Sequence, residues 1–198
     1  MEKQRITPEE SFDIITKAIS NFKTNYKEHA QIFLLWGWTM TLAGLSHFIV
    51  LKILLVNEAY NVMGLFSFVN WGLFTLVGFI IHFFMLRKID RNKKVYSYLD
   101  SFYTRLWQAT AISFFVAVFL CVKLEIAPPA IMLLIAGLAT TASGLIIKFR
   151  PLILGGLAFF VFSIASTFVS IEYTTLISSA ALFCCYVIPG YFLKYAKD

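Results

Sequence analysis

Apolar positions fall along this chain in two rhythms. Near the start, Phe12, Ile15, Ile19, Phe22 and Tyr26 recur at spacings of three and four, while Glu9, Asp13, Lys17, Ser20, Lys23 and Lys27 fill the other positions. That period predicts an amphipathic helix with one apolar face. Its start is marked by Thr7 as a cap, Pro8 at the first helical position and Glu10 completing a capping box. The helix is expected over residues 7–28. Beyond it the periodicity gives way to long apolar runs at about 31–56, 62–87, 104–124, 129–148, 151–171 and 174–193. A membrane-spanning helix needs about 20 apolar residues, so each run predicts one span. Turn or charge signals separate them: Asn57 to Asn61, Arg87 to Arg105, Lys123 to Pro129, Arg150-Pro151 and Glu172-Tyr173.

Composition agrees with this division. Hydrophobic residues make up 59% of the 198 and charged residues only 14%, against about a quarter charged in soluble domains. The expected fold is all-α: a polytopic membrane protein with six transmembrane helices and an N-terminal amphipathic cytoplasmic helix. Residues 1–198 form a single membrane domain in this reading, with no signal peptide ahead of the first span.

Charge then orients the spans. With the N-terminus inside, fifteen of the 17 basic residues fall on the inner side, and only Lys52 and Lys123 lie toward the outer side. Because Lys and Arg concentrate in cytoplasmic segments, both termini are expected inside. The net charge of +6 then reads as a topology signal and an attraction to anionic lipid headgroups. Nucleic-acid binding is disfavoured, since the basic residues are split among segments that carry no binding motif.

A second amphipathic stretch precedes the third span. Val95, Leu99, Phe102 and Leu106 form an apolar stripe, with Asp100, Ser101 and Arg105 off it. The third helix is expected to start near Lys94, inside the cytoplasm. Segments 7–28 and 94–106 can rest on lipid headgroups, pack on each other, or dock a cytoplasmic protein partner. The first helix also has the option of running straight into span one, since no Gly or Pro intervenes.

Within the spans two histidines stand out. Taking Gln31 and Arg87 as inner ends, a rise of about 1.5 Å per residue puts His47 at about 24 Å, Asn70 at about 26 Å and His82 at about 8 Å. The gap of about 16 Å between the rings excludes a shared metal ion or a haem held by both in one protomer. Gly37, Thr41, Gly44 and His47 form one helical stripe; Gly64, Ser67, Trp71, Thr75, Gly78 and His82 form another, with Asn70 on its shoulder. Small residues let helices approach in lipid, and polar side chains bond across the contact. Gly37, Gly44, Gly64 and Gly78 are thus expected at helix contacts, and so is Gly144, which ends the spacing Ala136, Thr140, Gly144. His47 has Asn70 at its level as a hydrogen-bond partner. The functional reading of the same residues is a ligand pocket lined by His47, Asn70 and Trp71. His82 reads as interfacial, as do Trp36, Trp38 and Trp107 near inner ends and Tyr60 and Tyr173 near outer ends.

Other chemistry is thin. Cys121, Cys184 and Cys185 all lie in apolar runs without CxxC spacing, so neither a disulfide nor a metal site is expected. No Asp or Glu lies within a run, which lowers the weight of coupled transport. Lys52, near the outer end of span one, is expected to snorkel. "TTASGLII" around Ser143 resembles the serine motif of rhomboid proteases but departs from it. Thr141 replaces the glycine two residues before the serine, and the last span offers no base histidine. There is no phosphate loop, zinc motif or dinucleotide fingerprint. Neither a cofactor nor an enzymatic activity is expected. Spans four to six are rich in small residues and should pack tightly, within the protomer or with a second copy. Pro189-Gly190 should kink or end the last span.

The run "TPEESFDIITKAISNFK…IFLLWGW", residues 7–50, resembles a group of small bacterial multi-span proteins without an established activity. They share an acidic amphipathic first helix and an aromatic entry into span one. The resemblance implies the bacterial inner membrane. Taken together, the expectation is a regulatory or scaffolding membrane protein that engages membrane or a partner through its cytoplasmic helices. The alternatives are a small-molecule transporter or channel with a path near His47 and Asn70, and a haem- or quinone-binding protein.

Overall fold

The computed structural model describes residues 7–92 and 98–196, with side chains at residue 7 and from residue 30 onward apart from 90, 92, 98–100 and 171. All regular structure among the described residues is helical. The elements are α1 (Pro8–Val56), α2 (Tyr60–Asn92), α3 (Tyr98–Leu124), α4 (Pro128–Ile147), α5 (Arg150–Ala165), α6 (Ile171–Leu182), a π-helical turn (Phe183–Val187) and α7 (Ile188–Lys194). Five stretches are long and apolar enough to cross a membrane: Ala30–Val56, Tyr60–Ile89, Ser101–Leu124, Pro128–Ile147 and Glu172–Lys194.

The fifth expected span departs from 151–171. Helix α5 has 16 residues, about 24 Å at the standard rise, against an apolar bilayer core of about 30 Å. It stops because hydroxyls turn back on the backbone. Ser166 Oγ donates to Ser163 O at 2.7 Å and Thr167 Oγ1 to Ile164 O at 2.7 Å, and the Thr167 and Phe168 N–H groups close on carbonyls three residues back. Such local bonds compete with the helical ladder.

Of the two outcomes expected at Pro189-Gly190, a kink or an end, the last span does not end there. Proline has no N–H for the Cys185 carbonyl four residues back. The chain meets this loss with a wider turn, in which the Ile188 N–H bonds Phe183 O, five residues back, and helix resumes to Lys194. The amphipathic segment at the N-terminus is helical from Pro8 and joins span one without a break; its side-chain face lies outside the described side chains. Residues 93–97, where the third helix was expected to begin, lie outside the described residues, and helix is described from Tyr98.

Helices α4 and α5 form the tightest pair. Their connection is two residues long: Lys148 takes a left-handed φ of 56° and the Phe149 N–H closes on Gly144 O at 2.9 Å. This is a left-handed helix cap of the kind usually given to glycine. The close approach needs glycine twice. A Cβ on Gly144 would stand 2.6 Å from the Ile153 nitrogen, and one on Gly156 would stand 2.5 Å from the Thr141 nitrogen. Around this hairpin, α1 packs along α6, the π turn and α7, while α3 packs on α4. The core lies where they meet, with Leu152, Phe159, Ala181 and Cys185 fully buried. Phe159 meets Tyr186 edge-on at 4.9 Å, and Phe33 meets Trp107 at 5.7 Å.

Helix α2 is the least buried span. It leans on α1 and leaves large apolar side chains outward, Phe68 at 79% exposure among them. An outward apolar surface of this kind is one that lipid covers. The glycine stripes therefore resolve differently from expectation. Gly78 fits the Trp36 ring of α1 and Gly144 fits α5, but Gly37 and Gly44 face the last span, against Val187 and Ser179. Gly64 contacts nothing within 4 Å of where its Cβ would stand, because α2 turns that face outward.

Replacing Gly156 by valine should destabilise the protein by about 1–3 kcal/mol through overpacking. Gly64→Val should change stability by no more than about 0.5 kcal/mol, as at open positions. Denaturant titration of the purified protein in detergent micelles checks the pair, and equal losses would contradict this packing.

Candidate functional site

A group of polar side chains bonds across the α1–α2 contact. A short turn sets its register. Asn57 Nδ2 donates to Ile53 O at 2.7 Å, the Ala59 N–H closes on Leu54 O at 2.9 Å, and Glu58 adopts φ 54°. The two helices then run antiparallel, and residues equally far from the turn meet.

His47 is 6% exposed and Asn70 8%, so both face protein, as expected. They do not pair with each other. His47 Nε2 lies 2.9 Å from Ser67 Oγ, and Ser67 spends its one proton on Met63 O at 2.8 Å. The imidazole must therefore be the donor, with its proton on Nε2. This leaves Nδ1 as an acceptor, buried and without a hydrogen-bond partner. Asn70 works one turn further in: Nδ2 donates to Ala43 O at 3.0 Å, and Oδ1 lies 2.8 Å from Ser46 Oγ, whose one proton is shared with Ala43 O at 2.9 Å. Trp71 enters as a ring only, tilted at 5.9 Å from the His47 ring, while Phe66 stacks on His47 at 5.5 Å. The sequence placed Ser67 on the right stripe but missed it as the partner. Equal depth had favoured Asn70, and the helical angle decides instead.

The arrangement runs opposite to a catalytic Ser–His pair. In such a pair the imidazole accepts the hydroxyl proton; here it donates, and the hydroxyl proton is committed to a backbone carbonyl. What the geometry offers is a clamp between helices and one ring nitrogen without a hydrogen-bond partner. His82 lies well inward along the same contact, where Trp36 Nε1 donates to its Nδ1 at 3.2 Å. The two rings have separate partners. No cluster of three His, Cys, Asp or Glu side chains occurs among the described residues. Ser143 is fully buried within the core face of α4.

Near the α2 end of span one, Lys52 is held in place by more than aliphatic contact. Its Nζ meets Glu172 Oε2 at 2.8 Å, donates to the Tyr173 hydroxyl oxygen at 3.4 Å and sits 4.6 Å from that ring's centroid. Span one is thereby tied to the start of the last helix. Lys52 and Glu172, opposite charges near the ends of two spans, were the sequence signal for this tie.

No protein-family model, curated protein or solved structure matches this chain in the comparisons made.

The Ser67→Ala and His47→Leu variants should each lose about 1 kcal/mol or less, and their double-mutant coupling should lie near about 0.6 kcal/mol, as for other interhelical bonds in membranes. Zero coupling in micelle denaturation would contradict the bond between them.

Proposed function

We propose that this is a six-span inner-membrane protein of bacterial type, with both termini cytoplasmic. In this reading it has no enzymatic activity and acts in regulation or scaffolding through its cytoplasmic helices. One observation supports it above others: α1 is a single helix of 49 residues, of which Ala30–Val56 forms the apolar span. The part from Pro8 to His29 extends the same helix by about 33 Å. A helix continuous with a span is directed away from the bilayer, whereas a membrane-surface helix must lie in the interface plane. The stripe Phe12, Ile15, Ile19, Phe22 and Tyr26 is then carried off the membrane, where a protein partner can bury it. The short α5 counts as the sixth span. Its ends are extended by Phe149 on one side and by Ser166 to Ser170 on the other, and its apolar face is continuous with α4.

A photo-crosslinker at Ile19 of the full chain in native membranes should capture a discrete protein, and one at Asp13 should not. Ile15→Asp with Ile19→Asp should abolish the capture without changing membrane insertion. Capture of lipid alone from Ile19 would overturn the reading.

A second reading, a carrier or pore beside His47, Asn70 and Trp71, is favoured by one atom: the buried, unpartnered Nδ1 of His47. A water path there would expose His47 to hydroxyl-radical footprinting well above the level of Phe159, which is fully buried. Equal protection of the two would end it.

A further inference from the structure

A groove opens where the α4–α5 connection meets the last turn of the chain. Phe149, Pro151, Tyr191, Phe192, Tyr195 and Ala196 line it, and it holds about 580 Å³, within the usual range of about 300–1,000 Å³ for small-ligand sites. Its walls are almost wholly apolar. Tyr191 and Tyr195 stack nearly parallel with centroids 6.4 Å apart, one helical turn from each other. The groove lies at the end of the spans, where the apolar run stops and the charged connections begin.

Its rim is basic. Lys148 and Arg150 flank the lining residue Phe149 and are both exposed. Neither has a hydrogen bond or ion pair among the described residues. Lys194 joins them, with its Nζ 5.5 Å from the Tyr195 ring centroid. The described acidic side chains lie at the opposite end, Glu58 and Glu125 in connections and Glu172 in the first turn of α6. An apolar trough at the end of the spans, beside cations that no described acid neutralises, matches an amphiphile with an anionic head.

We propose that this groove binds an anionic phospholipid, with one acyl chain laid along Phe149, Pro151, Tyr191 and Phe192 and the phosphate held by Lys148, Arg150 and Lys194. Three cations around one mouth favour a lipid with two phosphates. Basic pockets between spans are suited to such headgroups, and tyrosines at the interface present a ring to the chains and a hydroxyl to the heads. A water-soluble anion would leave the apolar wall uncovered. A soluble protein would have to displace the lipid already bathing these side chains. The inference rests on the spanning arrangement and is independent of which side the termini occupy.

Native mass spectrometry of the full chain released from detergent micelles tests it, with cardiolipin and phosphatidylethanolamine of matched acyl chains as probes. The wild type should retain cardiolipin at least about tenfold better than phosphatidylethanolamine. The Lys148→Gln, Arg150→Gln double variant should lose about 30-fold in cardiolipin affinity, at about fivefold per cation, with no loss for phosphatidylethanolamine. Lys123→Gln, at the other end of the spans, should leave both unchanged. Tyr191→Ala should weaken both lipids. Equal retention of the two lipids by the wild type, an unchanged double variant, or an equal loss in Lys123→Gln would each overturn the site. The two glutamines replace exposed side chains and leave the core intact, so the comparison stands even if the tyrosine variant fails to fold. Because the assay is run in micelles, its failure leaves the sidedness of the termini untouched.

Discussion

A polar group inside an apolar medium is costly unless it finds a partner within the protein, and this one constraint accounts for much of what is seen. It dictates helices, because only they satisfy a single segment's backbone internally. It also dictates how the hydroxyls behave. Thr140, Ser178 and Ser179 are buried, and each bonds the carbonyl four residues back on its own helix. They thus act as small packing residues that bring no unpaired group into the core. Ser163 is the contrast, reaching across to Ala130 O at 2.7 Å and fastening α5 to the start of α4.

The same constraint divides the molecule into two kinds of contact. Where side chains are small, as along α4, α5 and the last span, backbones close to near contact at Gly144, Gly155 and Gly156, and dispersion holds the pair. Gly155 shows the economy of this. A Cβ there would stand 2.8 Å from the Cys185 carbonyl oxygen, in the very turn that Pro189 forces into π geometry. Where side chains are large, as between α1 and α2, the helices are joined by a few directed bonds: Ser67 with His47, Asn70 with Ala43 and Ser46, Trp36 with His82. Lipid, being as apolar as the side chains, supplies no hydrophobic force to press α2 inward. The polar seam therefore carries much of that attachment, and the buried histidine has a structural reason to be there.

How much of this was legible follows from the kind of signal each feature leaves. The long apolar runs and the cap at Thr7-Pro8 are local, and the helix beginning at Pro8 and the five long apolar helices follow from them. That His47 and Asn70 face protein was legible too, because helical stripes and a short connection at Asn57 to Ala59 bring spans one and two together. Three things were not. The partner of His47 depends on an angular offset between Ser67 and Asn70 that sequence spacing does not resolve. Which face of α2 is outward depends on how many neighbours α2 has, and so Gly64 was misplaced. The early end of α5 depends on hydroxyls at Ser166 and Thr167 competing with the ladder, in a stretch apolar enough to read as continuous span.

Single-cysteine labelling tests the six-fold threading most directly. In a background where Cys121, Cys184 and Cys185 are replaced by alanine, a membrane-impermeant maleimide should reach Glu58→Cys, Glu125→Cys and Phe168→Cys from outside intact spheroplasts. It should reach Thr7→Cys, Phe149→Cys and Ala196→Cys only after permeabilisation. Labelling of Phe149→Cys and Phe168→Cys from the same side would mean that α5 does not cross, and labelling of Phe149→Cys from outside would mean that the threading is wrong.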